Sequence, residues 1–557
     1  MTAEAPARAP RAGHDPDTYR HRGWWRRATF GDDLRRQAAD RPHRIAVAGR
    51  RVGEHRTDTL GYRELDRLAD RFAAALAGLG VRRGDVVAVQ VASRWEIVPL
   101  IFACARAGAL ICPITPDCPP EELRHRLELT GARIVVAQTA WQGVPVAARV
   151  VALRDGLPEL REVFAVDGPV PEGARDFHGH FVATAWEEDT RAPGEERALG
   201  PDDPYVMLFT SGTTGPSKAV LHTQNTLHAA LLGYTSAFGM DDSVVLALHS
   251  PLCHYSGFAQ GILAGVMLGG TVVFQDAADP PGLLDLAERH GATLLYGPPP
   301  VLAAVAAEQR SRPRALAELR QVVIGTGPVL RRLSDEVRDA LGARAYSLWG
   351  MSESGPVTMT RPEDPEDWAV HSNGRPVRPM EVRIEPLGAA DAPGGAAAGG
   401  PVGRLRMRGA GLCLGYHRSE DRFLGAFDEE GWFDTGDLAR EDGRGGIRVL
   451  GRASDAIVRD GRVAPVPELE ALAADCAGIA EAAVVAVPVA AGAEICVVAV
   501  PEAGVASAAL HEVVARLREE GVAEEFMPAR LVVVDALPKT ATGKVRKAEL
   551  RERYARG

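Results

Sequence analysis

At 557 residues the chain is too long for one ordinary core, so two or more domains are expected. Apolar residues make up 46% and charged residues 25%, and the formal charge of −10 mixes both signs along the chain, which excludes the broad basic surface of a nucleic-acid binder. Seven dispersed cysteines without a CxxC pair, and fifteen histidines without metal-ligand spacing, read as reduced core thiols in a cytoplasmic protein. No run reaches the roughly 20 uncharged apolar residues of a membrane span. The opening segment 1–27, rich in Ala, Pro and Arg, lacks the apolar core of a secretory signal and has too few apolar residues to argue for packed structure.

In chain order, the first expected element is a helix over 62–79: Leu65, Leu68, Phe72, Leu76 and Leu79 share one face, and Gly80 follows as a stop signal. A strand over 85–91, a helix over 96–107 and a short apolar run over 109–114 come next. From Pro204, short β-rich runs (205–209, 244–248, 271–274, 293–296, 322–324 and 346–349) alternate with helix-length stretches. That alternation implies parallel sheets covered on both faces, with ligand crevices beyond the carboxyl ends of the strands. The Gly/Ala-rich stretch 388–400 lies between β-like runs at 381–384 and 403–407, so it reads as a long hairpin loop rather than a linker. Beyond Gly451 the pattern becomes a small α+β unit, with strands at 482–487, 495–500 and 531–534 and a helix near 508–518. The division is therefore 1–27, a large domain 28–451 and a small C-terminal domain 452–557, without internal repeats.

The strongest local signal is Leu208-Phe-Thr-Ser-Gly-Thr-Thr-Gly-Pro-Ser-Lys-Ala219, directly after an expected strand. Hydroxyls at Thr210, Ser211, Thr213 and Thr214, with Gly212 and Gly215, let backbone N–H groups approach an oligophosphate, and Lys218 adds a point charge. The spacing is not the GxxxxGK(S/T) of nucleotide-hydrolase loops, which disfavours that class. Trp349-Gly350-Met351-Ser352-Glu353 follows a strand, so Glu353 falls at a crevice where one carboxylate can hold a Mg²⁺ bridging phosphate oxygens; alone, the five residues could be a capped turn. Gly325-Thr326-Gly327 also ends a strand and could admit a ligand to the backbone or simply turn the chain. Asp434-Thr-Gly-Asp437 is a turn whose aspartates could bond their own backbone.

The loop 208–219 resembles the phosphate loop of the acyl-adenylate-forming superfamily, which includes acyl-CoA synthetases, aryl-acid AMP ligases, peptide-synthetase adenylation domains and luciferases. The likeness spans about residues 20–555. Leu221-His-Thr-Gln-Asn-Thr226, Ser250-Pro-Leu-Cys-His-Tyr-Ser-Gly257 and Trp349–Glu353 are most similar to the cyclohexanecarboxylate- and fatty-acid-CoA ligase branch, and Tyr19-Arg-His-Arg-Gly-Trp24 also resembles aryl-acid AMP ligases. The resemblance implies a large α/β domain of doubly wound parallel sheets with a small β-barrel-like part, followed by a mobile α+β lid. It implies that ATP and a small carboxylic acid give an acyl-AMP and pyrophosphate, with CoA as the default acceptor.

By that resemblance Glu353 holds Mg²⁺, Ser352 touches phosphate, Trp349 flanks adenine beside Gly325-Thr326-Gly327, and Asp437 accepts from the ribose hydroxyls. Gly451-Arg452 and Asp455 resemble the interdomain hinge, with Arg452 on the ribose side. Lys544, in Pro538-Lys-Thr-Ala-Thr-Gly-Lys-Val545, falls on the family's invariant lysine. Its role has a physical rationale: a carboxylate attacking a negatively charged α-phosphate needs a cation spanning both. His254 would gate the acyl pocket, walled by Tyr255, Ser256, Gly257, Thr326 and Met351.

The chain departs from the family pattern at Ser454, where Asp or Lys is usual, at Asp460-Gly461-Arg462-Val463, and in a shortened loop after Pro488. These parts serve the lid swing and the thiol-nucleotide site, so two acceptor rivals stand beside CoA: an amine, and nitrite activation toward an aryl amine. A non-catalytic nucleotide-binding protein is the rival from another class, and intact Lys218, Glu353, Asp437 and Lys544 count against it. Nucleic-acid and membrane partners find no support in the charge pattern, and the oligomeric state, a homodimer included, is left open.

Overall fold

The computed structural model describes residues 14–188, 195–210, 217–387, 401–459, 462–489, 492–505, 508–539 and 545–555. Two large sheets dominate. The nine-stranded one has a parallel heart of Ile45–Arg51, Thr271–Gln275, Val245–Leu248, Leu294–Gly297, Gln321–Ile324 and Arg344–Met351, in that spatial order. Antiparallel strands flank it, Arg56–Gly61 at one edge and Gly355–Met359 with Arg375–Pro376 at the other. The eight-stranded sheet is parallel through Pro204–Phe209, Leu110–Pro113, Val86–Gln90, Ile134–Gln138, Glu162–Val166 and Arg175–Asp176. Ala219–Thr223 and then Gly415–Tyr416 add antiparallel to its other side.

Strand alternation builds the layers. In Val86–Gln90, Val87 and Val89 enter the large core between the sheets, while Val86 and Ala88 join a separate core beneath the helices Pro120–Thr130 and Val146–Leu153. In Val245–Leu248, Leu246 and Leu248 face the shared core, and Val245 and Ala247 face the outer layer that includes Pro280–His290 and Pro299–Ser311. With both faces covered, these strands are apolar runs without polar alternation. The helix Tyr62–Gly78 forms as its periodicity requires: Leu65, Leu68, Phe72 and Leu76 are buried, and Gly80 leaves it in the left-handed region. Each such side chain contributes up to about 1.5–3 kcal/mol.

A four-stranded antiparallel sheet, Met380–Pro386, Gly403–Gly409, Phe433–Glu441 and Ile447–Arg452, forms the part expected to resemble a small barrel. Its first two strands pair as a hairpin from Met380 opposite Gly409 to Pro386 opposite Gly403; the stretch 388–400 lies outside the described residues. After Arg452 comes a smaller sheet of Ile479–Val489 and Gly492–Pro501, antiparallel, with Arg530–Val533 parallel beside them. The helices Val466–Ala474, Leu510–Glu519 and Lys547–Tyr554 supply Leu469, Leu517 and Leu550 to its cores.

One expectation is corrected. Residues 14–27 carry packed structure: the helix Pro16–His21 is capped by the Asp15 side chain, and Tyr19 and Trp25 are 6% and 1% exposed. Trp25 Nε1 donates to the Ala410 carbonyl at 3.0 Å. Tyr19, Trp24 and Trp25 are few, but each buries a large area. All seven cysteines are free thiols, six of them buried.

Candidate active site

A cavity of about 1600 Å³ opens where the parallel strands end. Residues in or just beyond the last turns of the strands line it, among them Tyr296 and Trp349 within strands and Thr210 and Thr326 after them, together with Asp437 and Arg452 of the four-stranded sheet.

Pro204–Phe209 and Ala219–Thr223 pair antiparallel, so the phosphate-type loop spans a hairpin. The Thr210 N–H donates to the Lys218 carbonyl at 3.0 Å and closes its base. Ser211, Gly212, Thr213, Thr214 and Gly215 lie outside the described residues. Lys218 Nζ donates to the Tyr416 hydroxyl at 3.0 Å and stands 3.7 Å from Glu353 Oε1, with the Tyr416 ring centroid 4.2 Å away. The Tyr416 hydroxyl in turn donates to Glu353 Oε1 at 2.7 Å. Ammonium, phenol and carboxylate thus form one chain in which each proton has a direction. Burial lowers the pKa of Lys218, opposed by the Glu353 charge. Burial and the same carboxylate push Tyr416 up, so the phenol keeps its proton.

Tyr416 is the functional residue that sequence reasoning missed. It comes from a two-residue edge strand whose register sets Tyr416 opposite Val220, next to Lys218. No local pattern marks it. Glu353 is 3% exposed, lines the cavity and accepts from the Tyr416 hydroxyl at Oε1. A single carboxylate lining the cavity, oriented by a donor at Oε1, fits a Mg²⁺ that keeps most of its waters.

The turn carrying Ser352 is clamped from below. Fully buried His222 bonds the Ser352 carbonyl through Nε2 at 2.7 Å; a carbonyl only accepts, so the proton sits on Nε2. Burial lowers His222 to about 4, keeping it neutral.

Asp437 and Arg452 face each other across paired strands. Arg452 Nε lies 3.3 Å from Asp437 Oδ1, and Trp349 Nε1 donates to Asp437 Oδ2 at 3.2 Å. Arg452 also donates to the Thr435 carbonyl at 2.8 Å. One carboxylate therefore fixes the indole and the guanidinium together. Thr326 holds φ 66°, a left-handed conformation that costs a β-branched residue about 1–3 kcal/mol. The strained turn carries Thr326 and Gly327 into the cavity wall, while Gly325 is buried behind them against Tyr296.

His254, Tyr255, Ser256 and Met351 line the same cavity. The His254 ring is open to the cavity yet ringed by protein, and the lost hydration lowers its pKa. Gly257, expected in the wall, is instead buried beneath it: a Cβ there would collide with the Pro251 carbonyl, so only glycine lets the loop fold back. Lys544 lies outside the described residues; beside it, Lys539 and Val545 form an antiparallel bridge, and Lys539 lines the cavity. Away from the cavity the fold gathers Glu96, Asp167 and His178 within 4.8 Å, a cluster no sequence spacing announced. Arg51 bonds both carboxylates and Arg94 bonds Asp167, so the cluster is an ion-pair network rather than an open metal site.

Crevice, carboxylates and appended small domain define a nucleotide-binding ligase. The chain belongs to the AMP-binding enzyme family: the family's sequence pattern matches residues 34–417, and that of the AMP-binding enzyme C-terminal domain matches 468–544. It is 28% identical to the medium-chain fatty-acid–CoA ligase of Escherichia coli K12, over 96% of this chain and 92% of that protein. It is 30% identical to the 2,3-dihydroxybenzoate-AMP ligase of Bacillus subtilis 168, over 96% and 95%. Among solved structures, ATP-bound MatB from Rhodopseudomonas palustris superposes with a TM-score of 0.76 at 25% identity, covering 95% of this chain and 99% of that one. Among the described residues no helix is long and apolar enough to cross a membrane.

Proposed function

We propose that the protein activates a carboxylic acid with Mg·ATP, releasing pyrophosphate and forming an acyl-AMP that it then transfers to CoA. One observation carries the reading: the Lys218–Tyr416–Glu353 chain and the Asp437–Trp349–Arg452 group open on a single cavity that His254 and Tyr255 also line. Lys218 offers its charge to the phosphates, and Asp437 is an acceptor for the ribose hydroxyls. Trp349, fixed by Asp437, offers its ring to the base. Glu353 would hold Mg²⁺, which when bound neutralises phosphate charge. Lys544 serves as the cation bridging the attacking carboxylate and the α-phosphate.

ATP as the nucleotide is supported by the ATP-bound MatB neighbour. CoA as acceptor is supported by the fatty-acid–CoA ligase relative. Mass spectrometry of products with Mg·ATP and an acid panel tests both halves. An acyl-AMP without CoA and a thioester with it is the expected result. An acyl-AMP that CoA leaves unchanged moves the acceptor to an amine, and no acyl-AMP with any acid refutes the reading.

A further inference from the structure

The cavity wall is rich in cations, and all but one of them already face an acid. Histidines aside, eight basic side chains line it among the described residues. Seven stand against a carboxylate at 2.5–3.7 Å, among them Lys218 with Glu353, Arg452 with Asp437, Arg404 with Asp434 and Arg448 with Glu468. The eighth, Arg422, makes no ion pair or guanidinium hydrogen bond among the described residues.

Aromatic packing fixes where Arg422 stands. Just beyond Gly415–Tyr416 comes the short helix Glu420–Leu424. Its Phe423 is 1% exposed and sits edge-on to Tyr416 at 5.2 Å and to Phe427 at 5.1 Å. Arg422, one residue earlier, is exposed and lines the cavity. Anchored beside Tyr416 in this way, it comes close enough to Lys218 for the two like charges to interact. Burial lowers the Lys218 pKa, Glu353 opposes this, and the Arg422 charge lowers it further. Burial and Glu353 push Tyr416 up, and Arg422 pulls it back. Two cations thus share one carboxylate at this corner, which leaves it with uncompensated positive charge. A surface arginine facing open solvent would be screened and would hold nothing. This one faces a cavity with a second cation at its side, and an anion set between them relieves their repulsion.

We propose that Arg422 binds the terminal phosphates of ATP and holds pyrophosphate as it leaves. The inference rests on the adenylation reading above, which gives the ribose to Asp437, the base to Trp349 and the phosphates to Lys218, the neighbour of Arg422. In that reaction a carboxylate oxygen bonds to the α-phosphorus while the bond from that phosphorus to the bridging oxygen breaks. The electron pair stays on the departing pyrophosphate, so negative charge grows beside Arg422. A planar guanidinium can meet two of the phosphate oxygens at once.

Arg422→Gln removes the charge from an exposed position, so the melting temperature should hold. Calorimetry compares Mg·ATP with AMP, and pyrophosphate is titrated as an inhibitor of acid-dependent adenylate formation. Mg·ATP affinity should fall about 10-fold, the low end for a hydrogen bond to a charged group, while AMP binds as before. Inhibition should need about 10-fold more pyrophosphate, by the same bond. Arg422→Lys keeps the charge without the fork and should lie between the two, and the KM values for acid and CoA should not move. Equal losses for ATP and AMP would put the guanidinium on the α-phosphate or nucleoside and overturn the proposal. A change confined to the KM for CoA would put it on the acceptor and overturn it as well. Unchanged ATP binding and pyrophosphate inhibition in Arg422→Gln overturn this inference and leave adenylation standing. Wild-type protein that binds no Mg·ATP overturns both.

Discussion

The most informative single atom in the site is the Tyr416 hydroxyl, and Tyr416→Phe removes it alone. Phenylalanine keeps the ring that lies 4.2 Å from Lys218 Nζ and packs edge-on against Phe423 at 5.2 Å, so the fold has no reason to change. Lost are the 2.7 Å donation to Glu353 and the 3.0 Å acceptance from Lys218. A hydrogen bond to a charged group contributes about 1.5–3 kcal/mol, which converts to roughly a 10- to 150-fold change. With Glu353 released from its orienting donor, kcat/KM for acid-dependent pyrophosphate release should fall within that range. Half-saturation in Mg²⁺ should rise, because the carboxylate no longer has one fixed orientation. The assay is a coupled pyrophosphate assay across a Mg²⁺ titration, with circular dichroism as the fold control. A variant within twofold of wild type at every Mg²⁺ concentration refutes the claim that the phenol positions Glu353.

Three further expectations concern separate parts of the molecule. Asp437→Asn keeps size but loses the anionic acceptor that Trp349 and Arg452 share; ATP affinity, read by calorimetry, should weaken about 10- to 100-fold while the KM for acid moves little, and unchanged affinity contradicts the assignment. Trp25→Ala should lower unfolding free energy by about 3–5 kcal/mol in denaturant titration, since the indole is 1% exposed; no loss would show the segment to be unpacked. His178 donates to Glu96 at 3.1 Å, and that bond raises its pKa above 6.5. A pKa raised by folding adds stability that is complete below about pH 6.5 and fades as pH climbs through the folded value. His178→Gln should therefore cost more stability in mild acid than in mild alkali, and an equal cost at both contradicts the linkage.

What the sequence made legible was local. The helix Tyr62–Gly78 and the strands before the three glycine-bearing turns are written in periodicity and in the glycines that follow them, and Thr210, Lys218, Thr326, Gly327 and Trp349–Glu353, the described parts of those turns, line one cavity. What it concealed was set by pairing at a distance. Tyr416 reaches Glu353 across 63 residues and Trp349 reaches Asp437 across 88, contacts fixed by strand register that leave no trace in either neighbourhood. The strand Ala219–Thr223 was hidden because it is buried throughout and follows directly on a motif read as a loop. The opening segment misled through composition: few apolar residues were counted, but the few are tryptophans and a tyrosine. Gly257 was placed in the pocket wall by resemblance, whereas its lack of a side chain serves the chain's own return past Pro251.

The central claim, adenylation of a carboxylic acid at this cavity, is tested most directly by pyrophosphate release from Mg·ATP across alicyclic, aryl and fatty acids, with nitrite included and Lys544→Ala as the control. Release should depend on the acid, and the lysine variant should lose it by roughly 100- to 1000-fold, as removal of one transition-state charge partner does. Release that ignores the acid, or that Lys544→Ala leaves intact, would contradict the account.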